Sequence, residues 1–163
     1  MKLVYKVEDQ YEVDNKEKAE KLEKFIAFYR NKGFNEPQIK EIVQGLFYGI
    51  DYSIYTKLDY DYNQMYQIRT GLIHGIDVSY YTDKDLNSYY MSEIRRALEN
   101  KLDLSWYNSD YNVYQLVEII RAQNEGFDYK ILLDPKLQPF EMRELRTNKV
   151  KFYYYKLKRS FSK

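Results

Sequence analysis

The chain contains one histidine and no cysteine, which leaves almost nothing for nucleophilic or zinc chemistry to draw on. His74 stands just before Gly75. An imidazole in the last turn of a helix favours the helix dipole, and without a second histidine that structural role outweighs a catalytic one. The pairs Asp59 with Asp61 and Asp83 with Asp85 offer the oxygen donors that calcium or magnesium takes. No spaced glycine and terminal glutamate complete a calcium loop, so solvated loop caps are the favoured reading and no metal is expected. Arg69, Arg95 and Arg146 occupy equivalent positions of an internal repeat. An arginine row can hold phosphates, but pairing with a carboxylate, for example the column that contains Asp77, is the commoner use. Val43 and Ile120 interrupt the row, which counts against a continuous phosphate track. No paired acid and base or phosphate loop can be assembled, so the chain reads as a non-enzyme without cofactors.

Recognition chemistry is better represented. There are 20 tyrosines and a single tryptophan. Tyr55, Tyr60, Tyr81, Tyr107 and Tyr111 fill repeat columns and read as core or helix-entry residues. Tyr48, Tyr62, Tyr66, Tyr80, Tyr89, Tyr90 and Tyr114 fall off the apolar stripes. With Trp106 they are the candidate partner-binding residues, because tyrosine and tryptophan give large contact area at low entropic cost. The competing reading makes them an aromatic second layer between long and short helices. A second set of candidates lies in the basic C-terminal segment: Lys149, Lys151, Tyr153, Tyr155, Lys156, Lys158 and Arg159. There, tyrosines among lysines suit stacking on nucleic-acid bases.

The elements that must position these residues are set by a repeat. Residues 60–81 (YDYNQMYQIRTGLIHGIDVSYY) return at residues 34–55 and 86–107, each a shift of 26 residues. A copy shortened by one residue starts at Tyr111, and a truncated copy starts at Leu137. A fixed period of this size is the signature of stacked structural repeats. Each copy opens with a helix start. Asn35 with Gln38, Asp61 with Gln64 and Asn112 with Gln115 form capping boxes, whereas the third copy keeps only Asn87 because Tyr90 fills the second position. Phe34, Tyr60, Leu86, Tyr111 and Leu137 precede the caps, and Ile39, Met65, Met91, Leu116 and Met142 follow five residues on. That pairing is the hydrophobic staple. The stripe Met65, Ile68, Leu72 and Ile76 has helical spacing and is predicted to be buried.

A small column, Gly45, Gly71, Ala97 and Ala122, lies beside it. A glycine inside a helix costs about 1 kcal/mol relative to alanine, so close approach by a neighbouring helix is expected there. Gly49, Gly75 and Gly126 supply the left-handed residue that ends each helix, and Lys101 takes that place with strain in the third copy. Asp51, Asp77, Asp103 and Asp128 then cap a short second helix.

Outside the repeats, Asp14 with Glu17 reads as the capping box of a helix reaching about Lys32, with Ala19, Leu22, Ile26 and Tyr29 as its stripe. Its charged outer face fits a helix that caps one end of an array. Residues 2–7 alternate imperfectly and read equally as a short strand or as a disordered terminus. Residues 149–163 read either as a strand pairing with them, slightly favoured for the alternation of Val150, Phe152 and Tyr154, or as a helix closing the stack. The net charge of +1 gives no global electrostatic case for nucleic acid or membrane. Its distribution is uneven: residues 51–90 carry six Asp against three Lys or Arg, and residues 141–163 carry eight Lys or Arg against two Glu. No apolar run approaches the ~20 residues of a membrane span, and MKLVYKVEDQ lacks a signal-peptide core, so the expected location is cytoplasmic.

The string QMYQIRTGLIHGIDVSYY resembles a family of short tandem repeats in proteins of Firmicutes and their plasmids, phages and integrative elements. Its units look like F-x-x-x-Q-M-x-E-I-R-x-G-L-x-x-G-L-D-V-S-x-Y. The match is close at Gln64, Met65, Ile68, Arg69, Gly71, Leu72, Gly75, Asp77, Val78, Ser79 and Tyr81, and spans residues 34 to about 146. It decays in the fourth copy, at Ile120, Gln123 and Lys130. The resemblance implies a helical-repeat binding module in mobile-element biology and supplies no catalytic residues. By analogy, a small member could be an anti-defence factor, for example an anti-CRISPR inhibitor that docks on a host nuclease.

The expectation is thus an all-α fold. It is a short-repeat α-solenoid with a long and a short helix per repeat, an N-terminal capping helix and a small terminal strand pair as an option. One domain fits the length, with a first segment over residues 1–33, five repeats over 34–148 and the basic segment over 149–163. Its expected role is non-catalytic binding of a protein partner, to which the Tyr and Asp rows would offer a surface suited to basic groups. Nucleic-acid binding by the C-terminal segment is the alternative.

Overall fold

The computed structural model describes residues 5–7, 11–108, 110–148, 151–153, 155 and 157. The chain is mostly helical and forms two compact units, Met1–Ile73 and His74–Lys163.

The first unit begins with a hairpin of β1 (Tyr5–Val7) and β2 (Tyr11–Val13), antiparallel with Lys6 opposite Glu12. The hairpin packs on α1 (Lys16–Asn31), which in turn packs on α2 (Glu36–Tyr48), and α2 packs on α3 (Tyr62–Ile73). The small sheet therefore joins two neighbouring N-terminal segments and does not pair the two ends of the chain. The α1 cap is Asn15, whose Oδ1 accepts from the Lys18 N–H at 2.8 Å. Asp14 is not the cap; its carboxylate takes the Lys18 ammonium at 2.7 Å. Ala19, Leu22 and Ile26 form the buried stripe of α1 as expected, with Tyr29 half-buried.

The second unit contains α4 (Ser88–Glu99), α5 (Val113–Asn124) and α6 (Pro139–Thr147), with α4 against α5 and α5 against α6. Its core joins Ile119 and Ala122 of α5 to Met142 and Leu145 of α6. Residues 151–153, 155 and 157 are helical, so the strand reading of this segment is overturned. Asn148 opens that helix, its Oδ1 accepting from Lys151 N–H at 3.2 Å. Phe152 then lies 4.8 Å from Phe127 and Tyr155 is half-buried three residues on. Packing two aromatics at that spacing on one side requires helical periodicity. Val150 and Tyr154, on which the alternation rested, lie outside the described residues.

The local signals act as their spacing predicts. Asn35, Asp61 and Asn112 each accept from the backbone N–H of the residue three on, whose Gln side chain accepts in return from the cap N–H. Gly49, Gly75 and Gly126 have φ of 65°, 67° and 67°, and Lys101 is held at 56°. The short second helices are 3₁₀ turns, Tyr52–Ile54, Val78–Tyr81 and Tyr129–Leu132, and the third copy has only a turn at 105–106.

Two packing expectations change. Met65, Ile68, Met91 and Ile94 are fully buried, but Leu72 and Leu98 are half-buried and Leu46 is 38% exposed. The small residue one position earlier is buried in each copy, and a step of ~100° along the helix turns the leucine away from it. The small column also has a different cause in the first copy. A Cβ on Gly45 would sit 1.9 Å from the Tyr55 hydroxyl, which donates to the Glu41 carbonyl at 3.0 Å. The notch admits the tyrosine of the copy's own 3₁₀ turn.

Candidate functional site

The capping glutamines do more than close their own helices. With Oε1 committed to the cap N–H, Gln38 Nε2 donates 2.6 Å to the Tyr60 carbonyl, just ahead of α3. Gln115 Nε2 donates to the carbonyls of Pro135 and Leu137, just ahead of α6. One side chain thus satisfies its own helix start and anchors the entry of the next, leaving no polar atom of the amide wasted in a buried position.

Three residues beyond each of these positions a glutamate column meets the arginines. Arg69 Nε donates 2.8 Å to Glu41, Arg121 donates to both oxygens of Glu93, and Arg146 Nη2 donates 3.0 Å to Glu118. All three pairs are 28 residues apart. Arg69 and Arg146 of the row therefore pair with this column and not with the Asp77 column. Arg121 supplies the guanidinium at the fourth copy, one residue beyond Ile120. Glu118 is only 2% exposed and also receives Arg121 and Arg143. Burial alone would weaken the charged forms of Arg121 and Arg146; the glutamates around them outweigh it and raise both pKa values. Arg95 belongs to the row as well and bonds Glu99.

Three of the four aspartates expected as caps serve their own turns, whereas Asp128 makes no side-chain cap hydrogen bond. Asp51, Asp77 and Asp103 accept from the N–H of Ser53, Ser79 and Ser105 at 3.0–3.1 Å. The serine bonds hold the Asp77 and Asp103 carboxyls below the ordinary carboxylate range. Asp61 caps α3, and Asp83 accepts from the Asp85 N–H. Among the described residues no three His, Asp or Glu side chains converge as a metal set. His74 Nδ1 lies 2.6 Å from Glu99, so it has a partner beyond any helix dipole.

The candidate tyrosines divide. Tyr48, Tyr62, Tyr66, Tyr89 and Tyr114 are exposed, between 43% and 59%. Tyr80, Tyr90 and Trp106 are half-buried: Tyr80 packs near Tyr107, Tyr90 makes an edge contact to Tyr114 at 5.1 Å, and Trp106 packs on Tyr111 and donates to the Asp103 carbonyl. In the first unit Tyr62 and Tyr66 share a face of α3, with the Arg69 guanidinium 5.3 Å from the Tyr66 ring. In the second unit Tyr89 and Tyr90 meet at 5.5 Å, and Arg121 donates to the Tyr89 hydroxyl.

Tyr89, Tyr114 and Phe140 occupy equivalent positions in the first turns of α4, α5 and α6, at 57%, 49% and 62% exposure. Three large exposed rings thus recur at one position of successive helices in the second unit. The signal in the sequence that marks Phe140 is its register with Tyr89 and Tyr114.

Of the C-terminal candidates, Lys151 is paired with Glu144, Tyr153 is 63% exposed, and Tyr155 is half-buried with its hydroxyl 3.5 Å from Asp134. Lys149, Lys156, Lys158 and Arg159 lie outside the described residues. No helix among the described residues is long and apolar enough to cross a membrane. No family model, curated protein or solved structure matches the chain.

Proposed function

We propose that this chain is a non-catalytic protein-binding module of the short-repeat α-solenoid class, acting in the cytoplasm. The single observation that carries the reading is the set Tyr89, Tyr114 and Phe140, three large rings left in solvent at one repeat position. Interfaces are enriched in aromatic residues, and large rings recurring in solvent at one helix position suit such a contact. Tyr62 and Tyr66 are separate candidates on the first unit. The resemblance to repeats of mobile-element proteins makes a host defence enzyme, such as an RNA-guided nuclease, the partner class to test first.

The experiment pairs capture with stability. Tyr89→Ala with Tyr114→Ala should abolish capture of the partner from a native host extract while the thermal midpoint stays within a few degrees of the parent. A large thermal loss returns these rings to a structural role. Expression of the chain in a host defended by an RNA-guided nuclease should restore phage plating. No restoration across several nuclease types removes the anti-defence assignment and leaves the binding role standing.

A further inference from the structure

A tyrosine returns at one position after the long helix of the first three copies, as Tyr55, Tyr81 and Tyr107, but the three are not buried alike. Tyr55 is 0% and Tyr81 1% exposed, whereas Tyr107 is half-buried. The small column accounts for the difference. The notch at Gly45 admits the Tyr55 hydroxyl because no Cβ stands there. The third copy has Ala97 at that position, itself fully buried, and its methyl occupies the space a tyrosine hydroxyl would need. Tyr107 lies instead beside Tyr80, with ring centroids 6.0 Å apart and planes at 32°. A cleft of about 380 Å³ opens there, lined by Ser79, Tyr80, Tyr107 and Asn108.

The polar groups of the cleft are mostly donors. Asn108 Oδ1 accepts from the Asp110 N–H at 2.8 Å, which leaves the amide NH2 without a partner among the described residues. The hydroxyls of Tyr80 and Tyr107 have no hydrogen-bond partner there either. Among the described residues no Lys, Arg, Asp or Glu lines the cleft. Burial raises the Tyr107 pKa, and the Asp83 carboxylate adds to that rise.

We propose that this cleft binds a proline-rich segment of a partner protein in the polyproline II conformation, its rings on Tyr80 and Tyr107 and a backbone carbonyl on the Asn108 amide. The match of donors to acceptors selects this occupant. A polyproline helix presents ring faces and carbonyls that have no internal hydrogen bond, and proline brings no N–H that would need an acceptor. A partner α-helix would arrive with its carbonyls already bonded. A nucleic acid would meet the Asp83 carboxylate and find no cation to take its phosphates. Aromatic-lined grooves are an established seat for proline-rich segments. The inference rests on the protein-binding reading and gives it a partner chemistry, through residues other than Tyr89, Tyr114 and Phe140.

The test uses the full chain and fluorescein-labelled decaproline, with a Gly-Ser peptide of equal length as the control. Fluorescence anisotropy should show saturable binding of decaproline alone. Tyr107→Ala should weaken it about tenfold or more, as loss of an aromatic anchor does. Tyr107→Phe keeps the ring and should weaken it only a few-fold. Asn108→Asp keeps an oxygen for the Asp110 N–H but removes the donor, so it should weaken binding about tenfold. Asn108 is exposed, so that variant should keep the parent's thermal midpoint, which circular dichroism checks. The proposal is overturned if decaproline does not bind, if the Gly-Ser peptide binds as well, or if Tyr107→Ala and Asn108→Asp bind like the parent. Binding of cellohexaose in place of decaproline also overturns it, giving the rings to a saccharide. Failure of decaproline while capture through Tyr89 and Tyr114 persists sinks the cleft alone and leaves the protein-binding reading standing.

Discussion

A single hydroxyl explains the most unusual helical residue in the first copy. Gly45 should cost helix stability relative to alanine, yet a Cβ there would collide with Tyr55 Oη and come within 2.9 Å of Tyr52 Cβ. Gly45→Ala is therefore predicted to destabilise by about 1–3 kcal/mol, overpacking outweighing the ~1 kcal/mol propensity gain. Tyr55→Phe removes the nearest atom, so the double variant should lose less than the sum of the two, measured by urea unfolding. Glu118 is the second residue on which much depends. Glu118→Ala strips the shared acceptor from Arg121, Arg143 and Arg146. Breaking a buried pair on one side typically costs ~3–5 kcal/mol, and a loss below 1 kcal/mol would show that water or Glu125 takes over the guanidiniums. Glu99 sets an acid limb. Burial alone would raise its carboxyl, but bonds from His74 and Arg95 together hold it below the ordinary value. A carboxyl lowered in the folded state stabilises above its unfolded value of about 4.3 and loses that contribution as pH falls through the folded value. Thermal midpoints below pH 4.5 should thus fall less steeply for Glu99→Gln than for the parent.

At the scale of elements, starts and stops are the parts most legible in the sequence, because caps and left-handed stops involve residues within a few positions of one another. Lys101 shows the rule by breaking it. Held at φ 56°, it occupies a conformation that costs a side-chain-bearing residue roughly 1 kcal/mol or more. Lys101→Gly should raise the thermal midpoint of the protein; an unchanged or lower midpoint would mean that the lysine side chain compensates. The burial of whole helices was harder to read. Position-by-position spacing put Leu72 with Met65 and Ile68, but the layer runs through the small column instead. Ile68→Ala should accordingly cost ~2–5 kcal/mol and Leu72→Ala distinctly less. The C-terminal segment departs from the expected strand for a related reason. Alternation and helical spacing are close to indistinguishable over so few residues, and only the position of Phe127 selects the helix.

At the scale of the whole molecule, the sequence by itself determined the repeat, its period, the ends of its helices and the absence of cysteine chemistry. Each of these is encoded by residue type or by neighbours in the chain. Tertiary structure alone decided which polar groups meet across copies: glutamine amide to the next entry carbonyl, glutamate to an arginine 28 residues on, a tyrosine hydroxyl into a glycine notch. It also decided which tyrosines remain in solvent. The reason is geometric. A hydrogen bond within four residues follows from helix pitch, whereas one across 28 depends on where two helices come to rest, and no single column of the repeat records that.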